Sequence, residues 1–316
     1  MNRIKIGVLG CASIAERMMI PAIISSDNFD LRFVASRSND KSQKFANKFK
    51  CDYVVGYENL LEQDLDAIYI PLPTGMHYQW IMKSLEAGKH VIAEKSLATN
   101  YQEVRDIIDL ARKKNLCVHE NFMFQYHSQI KFVKDKLPEI GQIKLLRSSF
   151  GFPKFAEQSN FRYNKLLGGG ALLDAGAYTI KASQIFLGLD QTLDYAYLNN
   201  EGSDVDFQGS IVLRNKDNIT SQLAFGFDNF YQNKIEIWGN LGKITMNRAF
   251  TAGPGVNPIV MIEKQGSSTE YQLSADNHFI KSLEVFAKAI NYRNYSEREN
   301  ILNQARLINE VVNWRK

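Results

Sequence analysis

Cysteine is scarce. Cys11, Cys51 and Cys117 are the only three in 316 residues. Odd in number and unevenly spaced, they form no disulfide framework and no CxxC metal pair. No stretch approaches the run of about 20 apolar residues that spans a membrane. The opening MNRIKIGVLG passes into a strand-like pattern without the apolar core and cleavage site of a signal peptide, so the cytoplasm is the expected compartment. There is no basic block and no basic run interleaved with aromatics. The formal net charge of +4 is spread along the chain, which fits anionic small molecules better than nucleic acid. Five histidines (His77, His90, His119, His127, His278) show neither i, i+4 nor HExxH spacing, so no metal site is expected. Low-complexity linkers and internal repeats are also missing.

What is present has the balance of a soluble globular protein, 45% hydrophobic and 23% charged, long enough for two domains. Ile4–Leu9 is almost wholly apolar, as a buried parallel strand should be. It runs into Gly10-Cys11-Ala12-Ser13-Ile14-Ala15 and a helical pattern. That is the strand–turn–helix context of a dinucleotide fingerprint, here G-x-A-x-x-A. In this reading Gly10 makes the turn, Ala12 stands where backbone approaches the pyrophosphate, Ala15 stands where helix meets strand, and the phosphates rest on the following helix. An ordinary βα turn is the alternative. A second strand, Leu31–Ala35, ends in Ser36-Arg37-Ser38 with no carboxylate to hold ribose hydroxyls. Arg37 offers a cationic fork to a phosphate instead, which favours NADP over NAD, with NAD still possible. The alternative is a solvated arginine opening the helix Asp40–Phe49, capped by Ser38 or Asn39.

Ala67–Ile70 leads to Pro71-Leu72-Pro73-Thr74-Gly75-Met76-His77, a rigid loop placed to wall the nicotinamide end of the cofactor. His77 is expected to begin a helix running to Ala87. His90–Ala93 is a strand that ends in Glu94-Lys95-Ser96, delivering Lys95 to the carboxyl edge of the sheet, where ligands of open α/β sheets sit. A helix over about 102–114 and a strand over 116–120 complete an alternating, doubly wound first half. After Asn121 the rhythm changes. A helix over about 126–137 and a strand over 144–150 precede Leu167–Tyr178, LGGGALLDAGAY. Its glycines let backbone come close to something, and a helix is expected over 171–187. Asp174 and Tyr178, four apart, share one face of it. A lysine, a carboxylate and a phenol make a proton-transfer set, since a nearby ammonium favours the phenolate. The alternative is a Gly-rich bend before an amphipathic helix with a core tyrosine. Seven further strands between 193 and 273, with turn residues between them, suit an antiparallel sheet. Two helices (277–292 and 296–314) close the chain.

Together, Glu94-Lys95, the Gly10–Ala15 turn, the Pro71–His77 loop and Gly168–Tyr178 resemble the Gfo/Idh/MocA oxidoreductases (glucose–fructose oxidoreductase, inositol dehydrogenase and relatives). The resemblance covers essentially the whole chain. It implies an α/β fold: an N-terminal Rossmann doubly wound parallel sheet (1–121, NAD(P)-binding), then an α+β domain with a large, open, mostly antiparallel sheet (122–316, substrate binding and oligomerisation); with no low-complexity linker at the border, the two are expected to pack directly on each other. It implies Lys95, Asp174 and Tyr178 as catalytic residues. Gly10, Ala12, Ser13, Ile14, Ser36, Arg37, Pro71, Leu72, Thr74, His77, Glu94, Lys95 and Arg162 are the candidate cofactor contacts. Cys11–Ala15, Ile20-Pro21-Ala22 and tyrosine at 178 look like the nucleotide-sugar 3-ketoreductases and dihydrodiol-dehydrogenase-like members, which mostly use NADP. Ser96 in place of the motif's proline, Gln125 in place of an arginine and Ser128 in place of a proline depart from the pattern. The expected reaction is hydride transfer from NADPH to a keto sugar carried on a nucleotide, in a homo-dimer or homo-tetramer built through the C-terminal sheet. A sugar, inositol or dihydrodiol dehydrogenase of the same fold is the first alternative, and an NADP-binding sensor without catalysis the second.

Overall fold

Ile4, Ile6, Val8 and Leu9 leave the first strand, β1 (Ile4–Leu9), without a face suited to water, and it is buried on both. Such a strand belongs inside a sheet covered on both sides. The computed structural model, which describes residues 2–157 and 160–314, places it there. Five more strands join it: β2 (Phe29–Ser36), β3 (Asp52–Val55), β4 (Ala67–Ile70), β5 (His90–Glu94) and β6 (Val118–Asn121). All pair in parallel, in the order β3-β2-β1-β4-β5-β6. The order reverses at β1. The carboxyl ends of β1 and β4 therefore form the switch point at which open α/β sheets bind ligands.

The connecting helices are α1 (Ile20–Ser25), preceded by a π turn over Ala15–Met19, then α2 (Asn39–Phe49), α3 (Tyr57–Leu61), α4 (Thr74–Glu86) and α5 (Tyr101–Lys114). Ser38 caps α2, accepting from the Lys41 N–H. At α5 the Asn100 side chain accepts from the Glu103 N–H at 3.0 Å. Glu103 reaches back to the Thr99 N–H at 3.1 Å. This reciprocal box, worth about 1 kcal/mol, fixes where the chain leaving β5 re-enters a helix. Three departures from the sequence reading stand out. β3 and α3 were not anticipated: β3 is a largely exposed edge strand and α3 only five residues long, so neither carries enough periodicity to register. Helix α4 begins at Thr74 and not at His77, because Pro73, extended, serves as its N-cap and leaves His77 inside the first turn.

The chain divides into two compact units, Met1–Asn121 with Phe279–Leu302, and Phe122–His278 with Asn303–Lys316. In the first, Phe286 of α8 (His278–Tyr292) stacks on Phe29 with ring centroids 6.1 Å apart. The second holds α6 (Ser128–Lys136), α7 (Ala177–Leu187) and the strands β7 (Ile143–Phe152), β8 (Gln191–Asn199), β9 (Gln208–Asn215), β10 (Thr220–Phe227), β11 (Gln232–Gly239), β12 (Gly242–Met246), β13 (Ile259–Lys264) and β14 (Ser267–Gln272). Their order is β14-β13-β12-β11-β7-β10-β9-β8. Every pair is antiparallel except β7 with β10. Nine of the eleven residues of α7 are buried, as in a helix enclosed on every side. The last helix, α9 (Glu297–Val312), donates from Gln304 Nε2 to the Ala177 carbonyl at the start of α7, at 2.8 Å.

The expected uninterrupted helix over 171–187 opens with a π turn, Leu172–Gly176, before α7. Its entry is made by Asp206, whose carboxylate accepts from the Leu172 N–H at 2.6 Å while its carbonyl accepts from the Ala171 N–H at 2.8 Å. Burial pushes the Asp206 carboxyl up from 3.8 to about 6. Because the folded state keeps this proton to higher pH than the unfolded chain does, the stability it contributes is complete below about pH 4. It is lost as pH rises through about 6, a fall of about 3 kcal/mol in all, of which about 2 kcal/mol lies between pH 4.5 and pH 7.5. Urea melts at pH 4.5 and pH 7.5 should show that step in the parent chain and not in Asp206→Asn, whose side-chain oxygen still accepts from Leu172. An equal pH dependence in both would contradict the assignment.

Candidate active site

Strand β5 carries Val91, Ile92 and Ala93 fully buried to its carboxyl end, and the chain turns polar there abruptly. Glu94 turns its carboxylate inward. Tyr69 Oη and Asn121 Nδ2 both donate to Glu94 Oε1, each at 2.8 Å. Asn121 Oδ1 in turn accepts from Ser282 Oγ at 2.8 Å, and His119 Nε2 lies 3.0 Å from the same hydroxyl. Burial raises the Glu94 carboxyl above its usual range, against these bonds and the Lys95 charge. Lys95 itself is half-buried. The peptide bond after it is cis. The two residues that follow are fastened through their backbone. His77 Nδ1 lies 2.9 Å from the Ser96 carbonyl, and the Leu97 N–H donates to Glu120 Oε1 at 2.8 Å.

At the switch point Gly10 holds φ +124, a conformation that side chains avoid. A Cβ there would press to 2.8 Å from Leu72 Cδ2, so this glycine is what lets the Gly10–Ile14 turn and the Pro71–Pro73 loop approach each other. The Glu16 N–H donates to the Ala12 carbonyl, opening the helical run, with Ser13 exposed and Ile14 half-buried at its start. Ser36 is buried and accepts from the Ser38 N–H at 3.1 Å. Arg37 is exposed at the end of β2, and its charge opposes the rise that burial imposes on the Tyr57 phenol. Pro71 and Thr74 are buried, the latter opening α4. His77 is fully buried, with Nε2 2.7 Å from the Leu72 carbonyl. Burial lowers its pKa, and the Lys95 ammonium acts in the same direction. A dinucleotide fits this set: a turn opened by Gly10 at the switch point, a helix start after it, and an exposed guanidinium where a carboxylate would repel a 2′-phosphate.

In the second unit Arg162 Nε donates to Asp174 Oδ2 at 2.6 Å, and the guanidinium carbon lies 4.5 Å from the Phe155 ring centroid and 4.6 Å from that of Phe161. Tyr178 is 6% exposed among Phe150, Phe122, Phe124 and Phe250, at ring distances of 5.2–5.6 Å. Its hydroxyl points at Met123 Sδ, 3.9 Å away. The glycine run is answered by the chain itself. A Cβ on Gly169 would collide with the Arg162 carbonyl, and one on Gly170, at φ +115, with the Asp206 carboxylate.

Two participants escaped the sequence reading. Asp206 follows an irregular loop with no periodicity to mark it. Lys181, 5% exposed, sets its ammonium 5.2 Å over the Phe122 ring, one turn beyond Tyr178; its only signal was a single charge in the helix Ala177–Leu187. Burial pushes the thiols of Cys11 and Cys51 up to about 11 and that of Cys117 to about 12, so none is a nucleophile at neutral pH. Among the described residues no cluster of His, Cys, Asp or Glu is disposed to hold a metal ion, and no helix is long and apolar enough to cross a membrane.

Comparison with known proteins gives the same outline. Residues 4–122 match the model of an oxidoreductase family with an NAD-binding Rossmann fold, and residues 137–245 that of the GFO/IDH/MocA C-terminal domain. The chain is 40% identical to a dTDP-3,4-didehydro-2,6-dideoxy-alpha-D-glucose 3-reductase from Actinomadura kijaniata, over 98% of this chain and 95% of that one. It is also 40% identical to an enzyme of the same name from Saccharopolyspora spinosa, over 91% and 87%. The crystal structure of KijD10, a 3-ketoreductase from Actinomadura kijaniata in complex with NADP and TDP-benzene, superposes with a TM-score of 0.95 at 39% identity, covering 99% of this chain and 98% of that one. A parallel sheet with its switch point at Gly10, a lysine at the end of β5 and matches in both halves lead to one conclusion: the chain belongs to the Gfo/Idh/MocA family of oxidoreductases.

Proposed function

We propose that this oxidoreductase reduces the keto group of a sugar carried on a nucleoside diphosphate, using NADPH. The observation that carries the reading is 40% identity along 98% of the chain to a reductase of that substrate class. The complex of KijD10 with NADP and TDP-benzene supports both ligands. In this reading residues 1–121 bind the cofactor and residues 122–316 bind the sugar and build a homo-dimer or homo-tetramer in the cytoplasm. Exposed Tyr195, Tyr197 and Phe230 on the second sheet and the loop after β10 suit an assembly surface.

Gly10, Ala12, Ser13 and Ile14 would take the pyrophosphate, Ser36 and Arg37 the 2′-phosphate, and Pro71, Leu72 and Thr74 the nicotinamide end, with Glu94 beside it. When bound, the dinucleotide supplies the hydride. Lys95 stabilises the negative charge that grows on the carbonyl oxygen, an effect strongest where water is excluded. Tyr178 delivers the proton to that oxygen and would take it back in the reverse direction. The phenylalanine rings around it keep water from competing for that proton. Asp174, held by Arg162, orients a sugar hydroxyl. Arg162 is thereby a support for the carboxylate in preference to a direct cofactor contact, since its Nε already donates to Asp174.

Lys95→Met and Tyr178→Phe should each lower turnover of a nucleotide-linked keto sugar by about 10²-fold or more, with NADPH affinity, read by fluorescence titration, within about threefold of the parent. Full turnover in Lys95→Met would remove the centre of the mechanism. Arg37→Ala should cut the preference for NADPH over NADH by about tenfold, since it deletes a charge-assisted contact to one phosphate; an unchanged ratio would assign the preference elsewhere.

A further inference from the structure

His77 is fully buried, yet each of its ring nitrogens meets a backbone carbonyl: Nδ1 that of Ser96 at 2.9 Å, and Nε2 that of Leu72 at 2.7 Å. The two carbonyls belong to different pieces of the candidate site. Leu72 lies in the Pro71–Pro73 loop, against the turn at Gly10. Ser96 immediately follows Lys95. With the ring this deep in the fold, His77 has no surface to offer a ligand.

We propose that His77 is a positioning residue, a two-ended tie that holds the nicotinamide-side loop and the backbone of Lys95 at a fixed spacing. The inference rests on the reading of Lys95 and that loop given above, and it replaces direct cofactor contact as the role of His77. Donation at both ends requires hydrogen on both nitrogens. The carbonyls of Leu72, Ser96 and Leu97 favour that form, while burial and the Lys95 ammonium oppose it. A neutral ring keeps one donor and sets its lone pair against the other carbonyl, so both ends are tied only while the ring is protonated.

The two ends can be cut separately. Asparagine places an amide donor near the position of Nδ1, so His77→Asn keeps the tie to Ser96 and releases Leu72. Glutamine places one near Nε2, so His77→Gln keeps Leu72 and releases Ser96. The expected result is a split. His77→Asn weakens NADPH binding about tenfold, by fluorescence titration and as KM, with kcat near the parent's. His77→Gln keeps NADPH affinity and loses about tenfold in kcat, the scale of one buried hydrogen bond. A residue that merely fills space would move both quantities together in both variants. That result, no change in either variant, or a change in only one of them overturns the two-ended tie. The NADPH titrations do not depend on the sugar. If the parent chain reduces no keto sugar, the functional reading falls, while unchanged NADPH affinity in His77→Asn would still overturn the tie.

Discussion

A parallel sheet buried on both faces leaves its strands nowhere to put a charge except at their ends, and that constraint organises the first unit. β1, β4 and β5 are apolar throughout their buried lengths. Their charged and polar residues are therefore displaced towards the ends, Lys5 and His90 at the amino side, and Gly10, the Pro71–Pro73 loop and Glu94-Lys95 at the carboxyl edge. Once there, the polar groups need partners of their own. Glu94 finds Tyr69 and Asn121, and the chain after Lys95 finds His77, Glu120 and Glu103. A buried carboxylate without such donors would cost several kcal/mol, so the network behind the lysine is a condition of placing an acid at that point at all.

The second unit solves a different problem with different means. A phenol is enclosed in phenylalanine, a carboxylate is clamped by an arginine laid over two aromatic rings, and the helix that bears both is started by a half-buried aspartate. The three consecutive glycines belong to this arrangement. Gly169 and Gly170 make room for the Arg162 backbone and the Asp206 carboxylate, so the bend is shaped by the chain's own groups. The same arginine and the same aspartate thus both set the glycine bend and hold what comes after it.

Much of this was legible in the sequence, for identifiable reasons. Strands buried on both faces announce themselves as unbroken apolar runs, which is why Ile4–Leu9, Ala67–Ile70 and His90–Ala93 were readable along with the lysine after them. Helices with a cap and a closing residue were placed within a residue or two, as with Asn39–Phe49 behind Ser38. What was not legible depends on distance along the chain. β3 is an exposed edge strand whose register comes from β2. The π turn at Leu172–Gly176 has no residue signature of its own. Arg162 carried a charge suited to phosphate and none of the information that Asp174 would stand within 2.6 Å of it. Asp206 and the partners of His77 are long-range facts of the same kind.

The order of the second sheet has a bearing on how it is assembled. Strands β8 to β10 form one meander and β11 to β14 another, each zipped between neighbours in sequence. Only β7 joins them, with Leu145 facing Thr220 on one side and Trp238 on the other. Closing such distant pairings costs loop entropy that hairpins avoid, and non-local topology of this kind slows folding. The two meanders can therefore gain structure early as separate ribbons. The late events would be the two dockings of one early-synthesised strand, whose edges are filled by β10 and then by β11 only after those distant strands have been made.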